Sequence, residues 1–144
     1  MRRTVTLFCL VTLLASVPAL SQNRFDPDGS FWVLGQLPAE FSDFSGINLN
    51  AKRLRRLPSP GLQLLDGTNY RFKTLTVKRN NFTFTTATVK GVSYSFAGKF
   101  LKGGVFAEVQ LDDESPVLEG TLTKHRAGKK VAEAKLRFTY FGGT

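Results

Sequence analysis

The chain has 144 residues, with 20 Lys and Arg against 11 Asp and Glu, one His and one Cys, for a net charge of +9. A lone cysteine excludes a disulfide framework within the chain, and with a lone histidine it excludes a zinc centre of the usual Cys/His kind. The length allows one substantial core and not two.

Arg2 and Arg3 precede an apolar run from Val5 to Leu14, and small residues follow from Ser16 to Ser21. This is the pattern of a secretory signal peptide, and the run falls well short of the roughly 20 apolar residues of a membrane span. Cleavage is expected after Ser21, leaving residues 22–29 as a loose lead-in and 30–144 as a single all-β domain without a transmembrane segment. Taking 21 residues, two of them arginine, from the chain leaves 123 residues at +7 and removes Cys9. The mature protein is expected outside the cytoplasm, periplasmic or extracellular, held together by burial alone.

From there on the sequence reads as short runs of Phe, Val, Thr, Leu and Tyr broken by Gly, Asn and Pro, with almost no helical periodicity. Strands are predicted at Phe31–Gln36, Gly46–Lys52, Asn69–Val77, Phe82–Thr88, Val92–Leu101, Val105–Leu111, Val117–His125 and Lys129–Phe141. About eight antiparallel strands joined by hairpins fit a β-barrel or a β-sandwich.

Parity fixes the hairpins. A three-residue loop at Val89-Lys90-Gly91 pairs Thr88 with Val92, Thr86 with Tyr94 and Phe84 with Phe96, which puts Phe82, Phe84, Tyr94, Phe96 and Phe100 on one face; a Lys90-Gly91 turn would split them. The same chemistry places Arg126-Ala127-Gly128 in a loop, opposing Leu122 to Ala132, Leu118 to Leu136 and Glu119 to Lys135. Asn80-Asn81 reads as a two-residue turn pairing Val77 with Phe84 and Leu75 with Thr86, and the parity of Tyr70 and Phe72 then requires a bulge near Lys73 or Thr74.

No motif carries chemistry. His125 sits among Lys124, Arg126, Lys129 and Lys130 and reads as a solvated hairpin residue, so no catalytic residue, metal ligand or cofactor is assigned. Asp26-Pro27-Asp28-Gly29-Ser30 begins like a calcium loop but lacks the later ligands, and reads as a turn. Asp112-Asp113-Glu114 reads as a charged connection, and Asn81-Phe82-Thr83 is a formal glycosylation sequon.

The densest charge is Lys52-Arg53-Leu54-Arg55-Arg56, whose Lys52, Arg53, Arg55 and Arg56 form a candidate docking patch for anionic lipid, lipopolysaccharide, acidic glycan or another envelope protein. Its plainer reading is a strand end kept from aggregating by charge. Nucleic acid is set aside for an exported chain. The length and the eight-strand meander resemble the lipocalin-like barrels in architecture, and Gly29-Ser30-Phe31-Trp32 stands where that family has Gly-x-Trp, with two intervening residues here instead of one. That resemblance implies a carrier in which Phe82, Phe84, Tyr94, Phe96 and Phe100 line an apolar pocket. The leading expectation is a non-catalytic binding module of the envelope or extracellular space; the alternative is the carrier.

Overall fold

The computed structural model describes residues 25–49, 60–106 and 114–141. The signal sequence, Lys52 to Arg56 and Asp112-Asp113 lie outside the described residues.

Eight antiparallel strands close into one barrel: β1 (Ser30–Leu34), β2 (Phe44–Asn48), β3 (Gly61–Leu64), β4 (Asn69–Lys78), β5 (Asn81–Thr86), β6 (Val92–Phe100), β7 (Leu118–Arg126) and β8 (Lys129–Phe141), each paired with its sequence neighbours and β8 with β1. The barrel is lopsided. The first three strands have five, five and four residues, whereas β8 has 13. A 3-10 turn at Ala39–Phe41 tucks Phe41 under one end, where Lys124 Nζ donates to the Glu40 carbonyl at 3.0 Å. At the other end Phe25 packs edge-on to Phe100 and Phe106, and Asp26 forms a parallel bridge with Val105.

Alternation along β5 and β6 sorts the aromatics as their parity demands. Phe82, Phe84, Tyr94, Phe96 and Phe100 are each no more than 2% exposed. Phe84 opposes Phe96, and their rings stack with centroids 5.5 Å apart. Phe138 meets Phe96 edge-on at 5.7 Å, and Phe82 stacks on Phe100 at 5.3 Å. Each such side chain, fully buried, contributes about 1.5–3 kcal/mol. Trp32 instead points outward, half exposed, and stacks on Phe141 at 4.5 Å.

The aromatic register is as expected, but the turn that delivers it is not. Lys90 and Gly91, at φ 48° and 77°, form a two-residue turn in which Val89 and Val92 exchange both backbone bonds at 2.8 and 2.9 Å. This is type I′ geometry, the turn that matches strand twist. One extra residue on the β5 side restores parity between Val89↔Val92 and Thr85↔Ser95. There the Ala87 N–H turns to the Arg71 carbonyl at 2.9 Å, and the Tyr94 N–H donates to Thr86 Oγ1 at 2.9 Å.

The last hairpin repeats the device and corrects the expected pairing. Ala127 and Gly128 take φ 48° and 76°, with a bulge at Val131, so Leu122 opposes Ala134, Leu118 opposes Phe138 and Glu119 opposes Arg137. The faces are those expected, and the pairs are slipped by two residues. Glu119 finds its ion pair at Lys99 across β6, at 3.2 Å.

The β4–β5 turn is likewise Arg79-Asn80, because Asn81 already pairs with Lys78 and with Lys99. Val77 then opposes Phe82 and Leu75 opposes Phe84, again a slip of two, and the expected bulge falls at Lys73, between Phe72↔Thr86 and Thr74↔Thr85.

Two strand assignments change. Gly61–Leu64, hidden behind Pro58-Ser59-Pro60 and only four residues long, forms β3. The strand predicted at Val105–Leu111 has no place between β6 and β7, which pair directly with each other along nine residues. Its described part is the bridge at Val105 and the buried ring of Phe106.

Gly91→Val and Gly128→Val each force a β-branched side chain to positive φ, at a cost on the order of 1–3 kcal/mol. Ser95→Thr, on the outer face, should be nearly silent. Thermal melts of the three variants check this, and equal tolerance at all three would contradict the turn geometry.

Candidate functional site

The five aromatics proposed as either core or pocket all lie inside the barrel, where Phe82, Phe84, Phe96 and Phe100 pack on one another and Tyr94 packs on Tyr70. Phe82 alone has Phe84, Phe96 and Phe100 within 5.3–5.6 Å of its ring centroid. Gly98 and Gly120, opposed in register, make the space that the Phe96 ring takes: a Cβ on Gly120 would lie 2.4 Å from Phe96 Cζ. A strand glycine of this kind marks close approach, here of a ring onto backbone.

Tyr70 and Tyr94 meet edge-on at 4.9 Å near the Phe41 end. Burial, with Asp43 adding to it, raises both phenols above their ordinary value of 10, Tyr94 by far the more. Both are therefore neutral at neutral pH, and Lys124 Nζ stands 5.9 Å over the Tyr94 ring.

The carboxylates held below their ordinary range are engaged locally. Asp66 is lowered first by the Thr68 N–H bonded to it at 2.8 Å, and Glu133 by Lys130 at 2.6 Å. His125 is half-buried on β7, paired with Ser93 and Lys130. Among the described residues, no cluster of three or more His, Cys, Asp or Glu could hold a metal ion. Asp26 turns back on its own chain, its carboxylate accepting from the Asp28 N–H at 3.3 Å, as a turn would have it.

What remains is charge on the outside. Between Asp66 and Glu108 the chain has no acidic residue, but it carries Arg71, Lys73, Lys78, Arg79, Lys90, Lys99 and Lys102, all exposed. Four of these gather at the end of the barrel opposite Phe41. Lys78 ends β4 and Arg79 opens the β4–β5 turn, Lys99 stands opposite Asn81, and Lys102 shares with Arg79 an open cleft of about 270 Å³ edged by Phe25 and Leu101. A larger open cleft of about 590 Å³ is lined by Asn81 and Lys99 and brings in Lys135 and Arg137, with Glu119 already paired to Lys99.

Leu49 and Pro60, between which the Lys52–Arg56 cluster lies in sequence, flank the strand ends Asn48 and Gly61, which pair at this same end. The acid-free run was legible in the sequence as a 41-residue gap between carboxylates. It is easily missed because its cations are spaced out, unlike Lys52 to Arg56, and only the hairpin turns assemble them.

No family model matches the chain, and no curated protein or solved structure matches it. Among the described residues no helix is long and apolar enough to cross a membrane, which says nothing of crossing by strands.

Proposed function

We propose that this protein is an exported, non-catalytic β-barrel that docks on anionic surfaces, such as acidic lipid, lipopolysaccharide or acidic glycan, through its basic end. The observation that carries this reading is the gathering of Lys78, Arg79, Lys99 and Lys102 at one end of the barrel, on a stretch with no acidic residue. Lys52, Arg53, Arg55 and Arg56 are expected to add to the same field. Cations gathered at one end raise the local positive potential, and a surface of many anions answers it best. The carrier alternative gains nothing from an interior whose large rings pack on one another.

Co-sedimentation with vesicles containing phosphatidylglycerol should show binding that weakens steeply between 50 and 300 mM salt, whereas neutral phosphatidylcholine vesicles should leave the protein in solution. Charge reversal at Lys78, Arg79 and Lys102 should reduce binding at least tenfold without lowering the melting temperature. Reversal at Arg53, Arg55 and Arg56 should act in the same direction. Salt-independent binding, or binding untouched by both triple variants, would remove the proposal.

A further inference from the structure

We infer that the outer edge of β4, from Leu75 to Lys78, is a strand-addition site for an extended acidic segment of a partner protein. β3 covers β4 only at Asn69, Tyr70 and Arg71. Beyond that point, among the described residues, no strand lies along this edge, and Lys73 to Lys78 are exposed throughout. The two-residue turn makes Lys78 and Asn81 a mutually bonded pair, so Thr76 bonds Thr83 and the bonding then alternates. Leu75 and Val77 therefore turn their N–H and C=O away from β5, toward the open edge.

Their side chains are as unusual as their backbones. Leu75 and Val77 share the face of their partners Phe84 and Phe82, which are 2% and 0% exposed, yet they are themselves 45% and 39% exposed. Two outward donors, two outward acceptors and two half-covered apolar side chains at alternate positions are what an added strand with period-two apolar residues requires.

Charge selects the occupant. Lys73, Lys78 and Arg79 flank the edge with no acid on β4, β5 or β6. Lysines on an open edge discourage pairing with a second copy, because like charges then face each other. The same lysines favour a strand bearing Glu or Asp at its polar positions. This site goes beyond the docking of anionic surfaces and does not depend on it, since it reads backbone and apolar pattern as well as charge.

The test uses the full mature chain and a capped heptapeptide of alternating Glu and Val, followed by fluorescence anisotropy and by amide exchange. Saturable binding is expected, with exchange at the Leu75 and Val77 amides slowed at least tenfold and with little binding of the Lys-Val counterpart. Val77→Pro removes one outward N–H without touching the β5 ladder and should weaken binding at least tenfold while the fold persists. A peptide N-methylated at its bonding amides makes the same test without altering the protein, and should fail to bind.

Equal binding by Val77→Pro or by the N-methylated peptide would overturn the inference. So would binding without slowed exchange at Leu75 and Val77, absence of binding, or equal binding of the Lys-Val peptide. Amides at Leu75 and Val77 already slowed in the peptide-free monomer would show that the chain covers its own edge, and slowing only in a dimer would show a second copy there. Either result overturns the partner assignment. Vesicle binding that survives Val77→Pro keeps the two proposals separable.

Discussion

Phe96→Ala is expected to destabilise the barrel by about 3–5 kcal/mol, a large share of the roughly 5–15 kcal/mol typical of a whole domain. The ring is 2% exposed and contacts Phe82, Phe84 and Phe138 at centroid distances of 5.6, 5.5 and 5.7 Å. Those neighbours are locked by their own strands and cannot collapse into the vacated space, so the cavity term adds to the lost transfer energy. Chemical denaturation of the variant measures it. A loss below about 1 kcal/mol would mean that the ring faces a void, as a carrier's pocket residue does, and not its neighbours.

Gly120→Val approaches the same spot from the backbone. A Cβ there would stand 2.4 Å from Phe96 Cζ, 2.6 Å from the Ala97 carbonyl oxygen and 2.6 Å from Gly98 Cα. Two of those three atoms belong to the backbone of β6, which is paired with β7 along nine residues and cannot yield without breaking the ladder. Overpacking of this kind costs about 1–3 kcal/mol where side chains alone must move, and more is expected here. Removing the ring in the Phe96→Ala background should relieve only part of the clash. A Gly120→Val protein melting like the parent would contradict the close approach of β6 and β7.

The fold was largely legible because period-two patterning survives errors of register. Phe82 and Phe84 alternate within β5, and Tyr94, Phe96 and Phe100 within β6; burying both sets on one face fixes the parity between the strands, whether the odd residue sits in the turn or in a bulge. The turn itself could not be read. Parity argued for three residues at Val89-Lys90-Gly91, and the chain instead keeps the favoured type I′ turn and moves the odd residue into the strand. At Val131 the same choice shifted the β7–β8 pairs by two. A bulge costs little and leaves no composition signal, whereas the bulge at Lys73 was legible because Tyr70 and Phe72 disagreed in parity with Leu75 and Val77.

β3 was missed because four residues between two prolines and a turn carry too short a pattern. The candidate site was legible in part: a basic character was evident from counting, but the gathering of Lys78, Arg79, Lys99 and Lys102 depends on where hairpins turn. That β3 covers β4 only at Asn69, Tyr70 and Arg71, leaving the edge beyond open among the described residues, was not legible at all, since β3 itself was missed.

Both proposals put the working surface of this barrel outside its wall, and backbone amide shifts during titration with a short-chain anionic phospholipid test that most directly. The probe carries a charged head and an apolar tail, so it can choose between the basic end and the interior. The account predicts shifts at Lys78, Arg79, Lys99 and Lys102 that fade with added salt, with Phe84, Tyr94 and Phe96 unmoved. Salt-insensitive shifts centred on Phe84, Tyr94 and Phe96, with the basic end silent, would contradict it and make the protein a carrier.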